Sequence, residues 1–213
     1  MKDFTLRKRF LGSKCGTRSS FKGFIMLVVM MLMMASSAMA EVIDGLRYVL
    51  DSETKTATLL PKREGKYSGD IIIPEKVKGN DGVEYIIASL GESFYGCSSL
   101  TSITIPSSVT SLGYECFCGC SGLTSITIPS SVTSLGGYCF KDCSGLTSIT
   151  IPSSVTSLGG SCFSGCSGLT SITIPSSVTS LGASCFSDCS GLTSITIPSS
   201  VTSLGEGCFR GCI

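Results

Sequence analysis

The 23 residues CSSLTSITIPSSVTSLGYECFCG, at positions 97–119, return four more times in direct succession with only small changes. A repeat of fixed period confines a chain to folds in which one unit stacks on the next, because so short a unit cannot bury its apolar face alone. Cys97, Cys120, Cys143, Cys166, Cys189 and Cys212 stand 23 residues apart, and so do Cys116, Cys139, Cys162, Cys185 and Cys208. The register never slips. Five whole units and the start of a sixth therefore occupy residues 97–213.

Within a unit, the alternation Ser102, Ile103, Thr104, Ile105 predicts a strand with both isoleucines inward and both hydroxyl residues outward. Pro106 ends that strand, since it has no N–H to donate to a ladder. Val109 and Leu112 supply two more inward side chains, and Gly113 turns the chain. Cys116, Phe117 and Cys120 are expected on a short helical turn that closes the coil.

Ahead of the repeats, residues 42–50 and 54–60 read as two strands of a hairpin around the polar turn Asp51-Ser52-Glu53. Residues 70–77 then echo the Thr-Ile-Pro-Ser-Ser-Val of later units, and residues 87–97 echo their second half. About nine residues around Gly79-Asn80-Asp81-Gly82 are inserted between them. Residues 41–96 are thus expected to be a hairpin and a divergent first repeat that shields one end of the stack. Residues 1–40 carry a basic leader (Lys2, Arg7, Lys8, Arg9, Lys14, Arg18, Lys22), an apolar run at 24–35, and Ala38-Met39-Ala40. This pattern describes a secretory signal peptide cleaved before Glu41; the alternative is an uncleaved signal anchor. Both readings export the repeats, and the first leaves no membrane span after cleavage. Cys15 lies within the leader, away from the position of a lipoprotein cysteine.

Of 16 Lys and Arg and 15 Asp and Glu, seven basic residues and one acidic residue precede position 41, so residues 41–213 carry nine and 14, a net of −5. This excludes the basic face that a nucleic-acid binder needs. There is no histidine in the chain, which removes imidazole from any catalytic or metal-binding scheme. Cys116-x-x-x-Cys120 and its copies lack the paired hooks of zinc sites, so no metal and no cofactor are expected. The cysteine columns read as small buried fillers, with disulfides between rungs as the alternative in an exported chain. Cys118 falls where other units have Lys141, Ser164, Ser187 and Arg210; it is expected to be exposed and to be the reactive thiol. The acids of the repeats, Glu115, Asp142, Asp188 and Glu206, are spread over separate rungs, and the serines have no base to activate them. No catalytic residue is assigned, and the chain is not expected to be an enzyme.

The pattern Ser-Leu-Thr-Ser-Ile-Thr-Ile-Pro-Ser-Ser-Val-Thr-Ser-Leu-Gly-x-x-Cys-Phe-x-x-Cys resembles the BspA-like, or treponemal-type, leucine-rich repeat over about residues 67–213. The resemblance implies a leucine-rich-repeat solenoid, mostly β with short helical or 3-10 turns. One face would be a parallel β-sheet, with an N-terminal β-hairpin cap. It also implies an exported, surface-associated protein, several members of the family being bacterial adhesins for host matrix or plasma proteins; the family occurs in some protists as well. The family usually has Ala before the Phe, where this chain has Cys116 and its copies. A chain that stopped at Ile213, two residues into its sixth unit, would lack a closing cap.

The surface that the units keep identical is the outward strand face: Ser102, Thr104, Ser125, Thr127, Ser148, Thr150, Ser171, Thr173, Ser194 and Thr196. It is the expected binding face for a protein or glycan, possible host extracellular matrix included, reached through many weak polar contacts. The alternatives are a structural spacer, a fragment of a longer array with no ligand of its own, or a ladder that orders water as ice-binding solenoids do.

Overall fold

The computed structural model describes residues 40–212. Residues 1–39 of the leader, with Cys15, lie outside the described residues, as does Ile213.

The described chain opens with a meander of three antiparallel strands, β1 (Ala40–Ile43), β2 (Leu46–Asp51) and β3 (Thr56–Leu60). The expected single strand over 42–50 is broken in two at Asp44-Gly45. Both residues take positive φ, 49° and 79°, the requirement of the two-residue turn that Asp-Gly favours. The next strands are β4 (Gly69–Ile72), β5 (Lys76–Lys78) and β6 (Glu84–Ser89). β5 and β6 pair antiparallel, and β6 joins β3 in parallel, so the sheet runs β1-β2-β3-β6-β5. The inserted residues expected as a loop therefore form the bend of a hairpin, closed by Gly79 N–H on the Val83 carbonyl at 2.9 Å. Tyr48, Leu59, Tyr67, Tyr85 and Ile87 fill the apolar side of this part.

β4 is the first rung of the stack and pairs in parallel with β7 (Leu100–Thr104). β9 (Ser125–Thr127), β11 (Ser148–Thr150) and β13 (Ser171–Thr173) continue the same side as an in-register parallel sheet, each residue opposite its copy 23 positions away. A bridge from Thr173 to Thr196 extends it by one rung. A second parallel ladder, absent from the sequence reading, is built from the Ser-Leu pairs: β8 (Ser111–Leu112), β10 (Ser134–Leu135), β12 (Ser157–Leu158), β14 (Ser180–Leu181) and β15 (Ser203–Leu204). Each strand is only two residues long, too short for any periodicity to announce it.

The third side of each rung is the closing turn. Cys118 N–H donates to Glu115 O and Cys120 N–H to Phe117 O, at 3.2 and 3.1 Å, the i to i+3 bonding of 3-10 turns. These turns do not merge into a helix, because a left-handed residue interrupts them twice per rung. One position is held by Glu115, Tyr138, Ser161 and Ser184, the other by Gly119, Asp142, Gly165, Asp188 and Gly211. Asp tolerates that backbone better than most residues, and Gly adopts it freely. The interruption frees Glu115, Phe117 and Gly119 to donate their N–H groups to Gly137, Cys139 and Lys141 of the next rung, at 2.7–3.0 Å. The middle rungs are thus tied to their neighbours along three lines.

Inside, like side chains stack on like. Phe94, Phe117, Phe140, Phe163, Phe186 and Phe209 form a continuous pile with ring centroids 5.2–5.6 Å apart and planes within 10°, an offset parallel arrangement. Tyr67 closes its N-terminal end at 5.4 Å, tilted by 46°. Leu100, Ile103, Ile105, Val109 and Leu112 and their copies complete the core, which loosens at the last rung, where Leu204 is 56% exposed.

Candidate functional site

The strand face is built by the alternation that buries Ile103 and Ile105, since inward isoleucines force Ser102 and Thr104 outward. All ten residues expected there, from Ser102 and Thr104 through Ser194 and Thr196, are exposed. From Ser125 to Thr173 the parallel register sets each directly beside its copy, and a bridge joins Thr173 to Thr196, so these hydroxyls form a grid of about 4.8 Å between rungs and about 7 Å along a strand. Apart from Ser102, none of these ten side chains hydrogen-bonds within the described residues. The face is neutral, polar and open.

The N-terminal end of the face differs, and the sequence reading missed it. Asp70 and Ile72 of β4 occupy the positions of Ser102 and Thr104, which they face in the ladder. The available signal was the alignment of Asp-Ile-Ile-Ile-Pro at 70–74 with Ser-Ile-Thr-Ile-Pro at 102–106. Asp70 Oδ1 accepts hydrogen bonds from Ser102 Oγ at 2.6 Å and Thr101 Oγ1 at 2.8 Å. Those hydroxyl donors hold the carboxyl below its ordinary range. On the same rung Glu75 accepts from the N–H and hydroxyl of Ser107, at 2.8 and 2.7 Å, and so pins the following turn.

A second missed group carries structure rather than recognition. Ser108, Ser131 and Ser177 donate their hydroxyls to the carbonyls of Ile87, Val109 and Val155, each one rung back, at 2.6 Å. The second Ser of Pro-Ser-Ser-Val is therefore a rung-to-rung tie.

All twelve cysteines of the described residues are thiols rather than disulfides, and eleven are buried. The two columns differ. Cys120, Cys143, Cys166 and Cys189 donate Sγ–H to the carbonyls of Phe94, Phe117, Phe140 and Phe163, each at 3.1 Å. Cys116, Cys139 and Cys162 pack as fully buried small side chains. Burial pushes the thiols up, to about 12 at Cys120 and Cys189 and well above the ordinary value at Cys116, Cys139, Cys143, Cys162 and Cys166.

Cys118 corrects the expectation of an exposed, reactive thiol, for it is only 1% exposed. Its position faces into the closing turn. Ser164 and Ser187, at the same place in later rungs, are buried too and hydrogen-bond each other at 2.9 Å. Lys141 and Arg210 share the column because long side chains carry their charge outward past the turn.

The acids of the repeats stay apart. Glu115 is raised by burial and then by the charge of Glu92; Asp142 lies 4.0 Å from Lys141, whose ammonium sits over the Tyr138 ring. Among the described residues no group of three or more Cys, Asp or Glu is placed to hold a metal ion, and no helix is long and apolar enough to cross a membrane.

Comparison with known proteins agrees with this architecture. The chain matches a leucine-rich repeat protein from Bacteroides ovatus ATCC 8483 at 36% identity and a TM-score of 0.75, over 81% of this chain and 45% of that one. It matches the T. pallidum leucine rich repeat protein at 28% identity and a TM-score of 0.70, over 78% of this chain and 75% of that one. A leucine rich cell surface protein from Faecalibacterium prausnitzii A2-165 matches at 29% identity and a TM-score of 0.63, over 84% of this chain and 53% of that one. The chain thus spans less than half the length of the Bacteroides ovatus protein. No curated protein sequence matches it. The sequence profile of the BspA type leucine rich repeat region matches residues 90–213 in six copies, and with the stacked rungs and their single period this places the chain in the BspA-type leucine-rich-repeat family.

Proposed function

We propose that this is an exported, cell-surface binding module of adhesin-like type, with residues 1–40 as its signal peptide and the strand face as its contact surface. The observation that carries the reading is the grid of exposed hydroxyls, nine of whose ten members make no hydrogen bond within the described residues. Such a surface offers donors and acceptors at regular spacing to a host or partner protein, or to a glycan. It lacks the Tyr, Trp and Arg that usually dominate binding energy, so a single copy binds weakly and avidity supplies the rest. The description of a similar protein as a cell surface protein supports the location. The separated acids and the lack of an activating base support a role without catalysis.

The test is attachment. Thr127→Lys, Thr150→Lys and Thr173→Lys together place three long cations on the middle of the face and leave the buried side untouched. We expect the triple variant to keep its circular dichroism spectrum and melting temperature and to lose adhesion to cultured cells and to immobilised extracellular matrix. Unchanged adhesion would remove the strand face from the account and leave the array as a spacer.

A further inference from the structure

The strand face is uniform except at one end, and the exception has the chemistry that the rest lacks. Ile72 is 74% exposed, the most exposed of the large apolar side chains of the described residues. Asp70, two residues before it on β4, projects from the same side. It is the one charged side chain in the two columns that run on as Ser102 to Ser194 and Thr104 to Thr196. No ion pair among the described residues involves it.

Local backbone sets this pair. The register of β4 against β7 shifts between Gly69 and Asp70, so that Thr101 is an extra residue in the ladder. Gly69 takes a φ of +71° there. A bulge of this kind re-aims side chains. Here it brings two successive hydroxyls, of Thr101 and Ser102, onto one oxygen of the carboxylate. Oδ1 is thereby fixed, while Oδ2 accepts no hydrogen bond among the described residues. The in-register ladders of the later rungs carry no such shift.

A fixed anion and an exposed branched aliphatic lie about 7 Å apart, the spacing of alternate side chains in an extended peptide. Resting on the reading of this face as a contact surface, we propose that Asp70 and Ile72 anchor a protein partner through an extended segment with a cationic side chain and, two residues on, an apolar one. The hydroxyl grid then aligns the remainder of the segment. Charge complementarity selects the cation, because no ion pair among the described residues engages the carboxylate. The aliphatic side chain favours a peptide over a glycan, whose apolar patches are bound by aromatic rings that this end of the face does not have.

The experiment uses the full chain and four immobilised peptides of Gly, Ser and Thr that differ in a central triplet: Arg-Thr-Leu, Glu-Thr-Leu, Arg-Thr-Ser or Ala-Thr-Ala. Binding to Arg-Thr-Leu is expected to exceed Glu-Thr-Leu and Arg-Thr-Ser by about tenfold each, one step of 1.4 kcal/mol, and Ala-Thr-Ala, which lacks both anchors, by more. Asp70→Asn should make Arg-Thr-Leu and Glu-Thr-Leu bind alike, and Ile72→Thr should reduce Arg-Thr-Leu to the level of Arg-Thr-Ser. Ile72→Thr introduces the residue that every later unit carries at this place, so the rung is expected to fold. Equal binding of the four peptides, or variants that bind like the parent, would overturn the proposal. Adhesion separates the two readings. If the triple Lys variant loses adhesion while Asp70→Asn and Ile72→Thr keep it, the anchor falls and the hydroxyl face stands. If the two anchor variants lose adhesion and the triple Lys variant keeps it, the anchor stands and the hydroxyl face falls. Adhesion abolished by enzymatic removal of target glycans, and insensitive to both anchor variants, would overturn the peptide partner.

Discussion

The buried cysteines couple stability to pH, in a direction that follows from their protonation. In the unfolded chain a thiol ionises near its ordinary 9.0; in the fold, burial raises it, to about 12 at Cys120 and Cys189 and well above the ordinary value at Cys116 and Cys139. Above pH 9 the unfolded state therefore binds fewer protons than the folded one. The thiol contribution is complete below that pH and declines as pH rises towards the folded values. Each such thiol removes on the order of 1 kcal/mol per pH unit in this range. With reductant present, cooperative unfolding is expected between roughly pH 9.5 and 11, followed by circular dichroism. Replacing Cys116, Cys139, Cys162 and Cys185 with Ala should move the transition upward; an unmoved transition would clear that column of the effect. The burial of these cysteines was legible, since each sits at fixed spacing beside an inward Phe. The depth of Cys118 was not, because its column also holds Lys141 and Arg210, and charge in a column suggests solvent where long side chains merely reach it. The left-handed residues were hidden for a related reason. Glu115, Tyr138, Ser161 and Ser184 share a backbone conformation and no side-chain property.

Among the elements, the phenylalanine pile runs unbroken from Phe94 to Phe209, and its members are not equivalent. Phe163 is fully buried with a ring on each side at 5.4 Å, whereas Phe209 is half-buried with a neighbour on one side at 5.6 Å. Phe163→Ala is expected to cost about 3–5 kcal/mol and Phe209→Ala roughly half as much, because the cavity at the end can fill with water or collapse. Urea denaturation of both variants checks the ratio; equal losses would mean that the pile does not act as a column. The strands with Ile103 and Ile105 were readable from alternation over four residues. The Ser-Leu ladder was not, for two residues carry no period, and pairing between rungs alone makes them strands. The N-terminal part was half legible. Its hairpin character followed from apolar runs and a polar turn, while the Asp44-Gly45 break lay inside a run that alternates well enough to pass for one strand.

Across the whole described stack, rungs touch rungs one unit away, and the three lines of backbone bonds and the Phe pile all repeat at 23 residues. Removing one unit in register, residues 144–166, should therefore leave a folded chain whose remaining contacts are unchanged. Its urea m-value is expected to fall by about one-eighth, in proportion to the surface no longer exposed on unfolding, together with its melting temperature. Loss of cooperative unfolding would show that the units are not interchangeable. Interchangeability also reaches back to the gene. Because the units are nearly identical in sequence, adding or removing a whole one at any junction between repeats leaves no faulty junction. The distance separating the Asp70–Ile72 end from whatever follows residue 212 is then a heritable length, adjustable in steps of about 4.8 Å, while the end itself, held by a bulge and an aspartate that occur once, is copied unchanged.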